Sequence, residues 1–192
     1  GGGSGTQGPP EDEGWPSRWR KWESSIMSQR PLELVCPAGT PAALRAAVDA
    51  GADAVYLGFR DETNARNFPG LNFDRTELQE GLTYAHDRGC KVSVAVNTFP
   101  AAGNPGPWRS AVDAAADLGA DAIILADIGL LDYTTRHYPE MRRHLSVQAS
   151  ASNIEAIRFY HEAFGVKRVV LPRVLTLAEI AALNAQTPVE TQ

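Results

Sequence analysis

From residue 32 onward the chain alternates between short apolar runs and longer amphipathic stretches. The apolar runs cover 32–36, 54–58, 91–97, 122–126, 145–148 and 168–171. At four to seven residues each, they suit buried strands better than helices. The stretches between and after them predict helices over 42–50, 74–88, 108–118, 129–137, 153–164 and 177–185. Start and stop signals agree. Thr40 with Pro41, and Asp74, stand where helix caps belong, and Gly51, Gly89 and Gly119 stand where helices stop.

Strand and helix alternate six times. Helices returning between short apolar strands require parallel pairing and right-handed crossovers. An internal echo supports this order. Gly-Ala-Asp-Ala-Val-Tyr-Leu at 51–57 recurs as Gly-Ala-Asp-Ala-Ile-Ile-Leu at 119–125, with a weaker copy at 164–171. Each copy is a helix stop leading into a buried strand. Units of this kind suit a parallel (β/α) barrel of TIM type, which needs eight units in about 250 residues. The expectation is therefore an α/β fold, a TIM-type barrel left incomplete at about six β/α units. A doubly wound open sheet is the alternative. It would carry a glycine-rich phosphate loop after its first strand, and 36–40 holds a single glycine.

Residues 1–27 break the pattern. Gly, Pro and acidic residues dominate without periodicity, so a disordered leader or linker is expected there, followed by one domain over 28–192. Trp15, Trp19 and Trp22 lie among Arg18, Arg20 and Lys21. They suit a membrane-surface or partner patch, and a linker remnant explains them more simply. Met27 is a plausible start. The first residue is not Met, and 188–192 offers no closing element, so a fragment lacking its C-terminal part is expected.

Composition narrows the classes. A hydrophobic share of 43% supports a real core. A net charge of −5 argues against a general nucleic-acid surface, so no nucleic-acid partner is expected. No apolar run approaches the roughly 18 residues of a membrane span. Two cysteines and no export signal suggest the cytoplasm.

In either architecture, ligands gather at the carboxyl ends of the strands. The residues expected there as a substrate-binding set are Asn64, Arg66, Asn97, Asp127, Gln148, Ser150, Asn153 and Arg173. Amides and guanidinium groups suit an anionic or carbonyl-bearing ligand. Plainer roles exist: Asp127 and Asn153 also read as helix caps, and Arg66 as a solvated loop residue. No catalytic residue is legible. His86, His137, His144 and His161 match no metal-ligand spacing and read as surface or packing residues on helices or helix ends. No Ser-His-Asp arrangement appears. Cys36 and Cys90 are expected at opposite ends of the sheet, about 15–20 Å apart. That is too far for a disulfide, and two thiols are too few for an iron–sulfur cluster. Cys36 reads as a small buried residue or, less simply, as a reactive thiol.

Leu34-Val35-Cys36-Pro37-Ala38-Gly39, the 51–58 stretch, and Ser146-Val147-Gln148 with Asn153 resemble the collagenase-like peptidase family, peptidase U-32. Asn64-Ala65-Arg66, Ala95-Val96-Asn97-Thr98, Leu125-Ala126-Asp127 and Leu171-Pro172-Arg173 are similar to its UbiU branch, which serves ubiquinone biosynthesis. The resemblance covers about 32–188. It implies a distorted barrel, a UbiV-like partner, and oxygen-independent hydroxylation of a ubiquinone precursor. It also implies relatives that hydroxylate RNA bases, with prephenate as hydroxyl source. The family's 4Fe-4S cluster sits on four cysteines beyond this chain's end, and neither Cys36 nor Cys90 matches one. The chain alone is therefore expected to be inactive. The alternatives are a collagenase-like peptidase, an RNA-base hydroxylation protein and a non-catalytic scaffold subunit.

Overall fold

A computed structural model describes residues 32–192. The leader expected over 1–27, with its tryptophans, lies outside the described residues. Residues 34–192 form one compact unit.

The elements are β1 (Val35–Pro37), α1 (Pro41–Asp49), β2 (Ala54–Gly58), α2 (Arg75–His86), β3 (Lys91–Val96), α3 (Gly106–Asp117) and β4 (Ala122–Leu125). They continue as α4 (Ile128–His137), β5 (Arg142–Leu145), a 3₁₀ turn (Val147–Ala149), α5 (Ile154–Phe164), β6 (Arg168–Val169), α6 (Leu177–Asn184) and β7 (Glu190–Thr191). All seven strands pair in parallel, each with its sequence neighbours. A doubly wound sheet needs a reversal of strand order, and this sheet has none. The sheet also curls. In a flat sheet β1 and β7 would lie roughly 29 Å apart, six strand spacings. Here Pro37 and Gln192 line one cavity. The fold is thus a partial TIM-type barrel.

Helices cover the outer face. Val55, Val92, Val94, Val96, Ile123 and Leu125 are fully buried beneath them, with Phe73, Leu78 and Leu82. Alternate residues point inward and stack in layers. One layer reads Tyr56, Ser93, Ala122, Arg142 across the register. The next reads Gly58, Ala95, Ile124, His144, Arg168, Glu190.

Two expectations need correction. A seventh strand, β7, follows the six units, although its two ordered residues carry no apolar run. The fifth strand lies at Arg142–Leu145, upstream of the expected 145–148, which instead turns into the 3₁₀ segment. Polar letters hid this strand because tertiary partners satisfy them. Arg143 is buried, and its guanidinium bonds the carbonyls of Phe164, Tyr138 and Pro139. His144 is accordingly a buried strand residue.

Caps set the helix starts. Asp74 and Thr176 form capping boxes, and Asp127 accepts from the backbone N–H of Leu130 at 2.9 Å. Asp127→Ala should lower stability by about 1 kcal/mol, the usual worth of such a cap. Urea melts check this, and an unchanged midpoint would contradict it. Among the described residues, no helix is long and apolar enough to cross a membrane.

Candidate functional site

The partial barrel opens at the carboxyl ends of its strands into a cavity of about 280 Å³. This is near the lower end for small-molecule sites, room for a ring rather than a chain. Residues at or after every strand line it. Ala95, Ile124 and Val170 supply apolar floor, while Phe68 and Leu71 supply one wall. Arg66 is the one charged side chain among the lining residues, which otherwise carry amides, one phenol and one hydroxyl.

The long 59–74 loop is held by asparagines. Buried Asn64 donates to Asn72 Oδ1 at 2.8 Å and to the carbonyl of Phe59 at 3.4 Å. Its Oδ1 accepts from the backbone N–H of Arg66 at 3.0 Å. Asn72, in the left-handed region with φ 73°, donates back to the carbonyl of Arg66 at 2.8 Å. Asn64 therefore spends its amide on scaffolding. The loop it holds presents Arg66, whose Nη1 donates to the Tyr56 hydroxyl at 3.2 Å. The guanidinium lies 5.9 Å from the Tyr56 ring centre, within cation–π range.

Across the mouth, Gln148 is held by its oxygen. Ser146 Oγ donates to it in a short contact, and Asn97 Nδ2 donates to it at 3.5 Å. Asn97 is fixed in turn, since its Oδ1 accepts from Ala65 N–H at 2.9 Å. The Gln148 NH₂ group has no hydrogen-bond partner among the described residues and remains a donor for a ligand carbonyl.

Of the eight expected residues, Asn64, Arg66, Asn97 and Gln148 line the cavity. The others do not. Asp127 caps α4, and Asn153 caps α5 by accepting from Ala156 N–H at 2.8 Å. Ser150 ends the 3₁₀ turn in the left-handed region with φ 54°. Arg173 is exposed beyond β6. Tyr56, Asn72 and Ser146 were missed. Tyr56 was findable, because it precedes Gly58 by two and so faces the same side of its strand.

Beside the cavity floor, in the same inward layer, lies a charged group that sequence reading also missed. Glu190 Oε2 accepts from Arg168 Nε at 2.8 Å and Nη2 at 2.6 Å, and from Arg142 Nη2 at 2.8 Å. Burial alone would raise the Glu190 pKa, but the two guanidinium groups outweigh it and hold the carboxyl below the usual range. Arg142 Nε donates to His144 Nε2 at 3.1 Å. Burial, then the charges of Arg168 and Arg142, push the His144 pKa down to about 3. His144 is a neutral acceptor here, with its proton on Nδ1.

The cysteines are closer than expected. The register sets Cys36 level with Val92, two residues past Cys90. Both are free thiols, and burial pushes the Cys90 thiol up, away from thiolate reactivity. Among the described residues no three His, Cys, Asp or Glu gather as metal ligands. Two cysteines do not fit a 4Fe-4S cluster, which needs about four ligands.

Residues 39–192 match the family described as Peptidase family U32. The chain is 39% identical over 157 residues to the tRNA hydroxylation protein P of Escherichia coli (strain K12), covering 81% of this chain and 34% of that protein. It is 34% identical over 158 residues to a collagenase of Porphyromonas gingivalis, covering 82% of this chain and 37% of that protein. The chain thus spans about a third of the length of these relatives. The solved structure of a U32 peptidase superposes with a TM-score of 0.67 at 20% identity, covering 85% of this chain and 69% of that one. This last likeness concerns the fold.

Proposed function

Because the chain belongs to peptidase family U32, we propose that it forms the substrate-side wall of a hydroxylation protein, with an RNA base in its mouth. The observation carrying this reading is the cavity itself: ring-sized, amide-lined, with Arg66 its one charged side chain. The free Gln148 NH₂ can pair with the edge of a base, and apolar walls take its faces. Gln148 would donate to a ring carbonyl, and Arg66 would take the phosphate beside it. A relative named for tRNA hydroxylation supports the same substrate class. The acidic balance argues against a broad phosphate-binding face, but seating one unstacked base does not need one.

Hydroxyl transfer itself belongs to groups outside the described residues. The family's iron–sulfur cluster would supply the redox step there, and no residue described here holds it. The cavity lining contains no cysteine, histidine or acidic side chain, so peptide cleavage finds no nucleophile with its base among these side chains.

A ubiquinone precursor is the second reading, with a UbiV-like partner. Asn64-Ala65-Arg66 and Leu171-Pro172-Arg173 favour it, and one ring of that kind also suits the cavity.

The test uses the whole protein in cells. Gln148→Ala and Arg66→Ala should each cut the hydroxylated nucleoside of tRNA about tenfold, the worth of one lost hydrogen bond to substrate. Nucleoside mass spectrometry reads it. Unchanged tRNA with depleted ubiquinone would favour the second reading, and no change in either would overturn both.

A further inference from the structure

Exposed apolar side chains gather at the mouth. Phe68, Phe99, Ile128, Val147, Val174 and Leu177 are all exposed, and each follows a strand on the carboxyl side. The aromatic members, Phe68 and Phe99, fall on the loops after β2 and β3. The aliphatic ones follow β4, β5 and β6.

The two aromatic loops are stitched together. Thr63 O accepts from the backbone N–H groups of Asn97 at 3.0 Å and Thr98 at 3.3 Å. Thr98 Oγ1 donates to Glu62 O at 2.6 Å and accepts from Trp108 Nε1 at 2.8 Å. Phe68 and Phe99 are 58% and 57% exposed, and neither has a ring partner among the described residues. Phe159 differs. It is 51% exposed, but its ring meets Tyr160 at 5.5 Å and Phe164 at 5.8 Å.

We propose that Phe68 and Phe99 form a stacking platform for the nucleotides flanking the base that enters the cavity. The proposal rests on the RNA reading above and extends it from one base to a single-stranded segment. Three observations select this occupant. Phe68 lines the cavity, so platform and cavity are continuous. Arg66, two residues away, is placed to take a phosphate between stacked and inserted bases. The faces are aromatic and held on a pre-ordered rim, so stacking adds contact without ordering a loop. Bases stack on such rings whatever their sequence.

The test is fluorescence anisotropy with the chain and a labelled single-stranded RNA heptamer of mixed sequence. Phe68→Ala and Phe99→Ala should each weaken binding roughly tenfold, as loss of one stacked base does, while Phe159→Ala leaves it unchanged. Abasic sites flanking the central nucleotide should weaken wild-type binding similarly, and the Phe68→Ala/Phe99→Ala variant should not respond to them. Both side chains are exposed, so unchanged urea melts show that the variants still fold. Normal binding by both single variants, alongside weakened binding by Gln148→Ala, would overturn the platform and leave the RNA reading standing. No binding by the wild-type chain would overturn both.

Discussion

Acidification from pH 7 to pH 4 should remove about 3 kcal/mol of folding stability through His144 alone. The group's pKa is about 3 in the folded chain against a usual 6.5. The folded state therefore binds fewer protons than the unfolded state between those values. The contribution is full above pH 6.5 and shrinks by roughly 1.4 kcal/mol per pH unit as pH falls toward 3. Glu190 acts in the same direction at lower pH. Its carboxyl is held below the usual range, so its contribution is present above about pH 4.3 and fades as pH falls through the folded value. Urea unfolding at pH 7, 5.5 and 4 reads the slope. His144→Gln should flatten it between 7 and 5. Equal slopes in both proteins would remove His144 as the cause.

Gly58→Ala should destabilise the chain by about 2 kcal/mol and disable the cavity. A Cβ at Gly58 would lie 2.3 Å from Asn64 Nδ2 and 2.6 Å from Asn64 Cγ. Asn64 is buried and its amide bonds Asn72 and the Arg66 backbone, so a shift large enough to clear the Cβ breaks those bonds. Arg66 then loses its placement. Anisotropy with RNA should show at least a tenfold loss. For stability, Gly39→Ala is the control, because a Cβ there meets Leu71 only at 3.6 Å. The double variant Gly58→Ala/Asn64→Ala should recover part of the stability, since the clash is removed. Equal stability of the single and double variants would contradict the steric account.

These two predictions rest on features that pattern reading saw unequally. β2, β3 and β4 were legible because their outward residues are apolar and their helix stops are glycines. β5 was not, because Arg142, Arg143 and His144 look like surface residues until their partners are known. The ion-pair partner of Arg142, Glu190, comes from β7 about 50 residues later, and His144 sits level with Arg168 of β6, about 25 residues later. At the mouth, the strand-end rule found Arg66, Asn97 and Gln148. It also gathered Asp127 and Asn153, because the side chains that bind ligands also cap helices. Arg173 was counted to a strand expected to reach residue 171, and β6 ends at Val169. Gly58 looked like a simple strand end. Only the position of Asn64 explains why a glycine is needed there.

The claim at the centre is that the mouth cavity seats an RNA base. Photocrosslinking tests it most directly. A single-stranded RNA carrying one 4-thiouridine is irradiated with the chain, and adducts are mapped by peptide mass spectrometry. The account predicts adducts on the peptides bearing Tyr56, Phe68, Asn97 and Gln148, lost on addition of unlabelled RNA. Adducts confined to the outer helices, or none at saturating RNA, would contradict it.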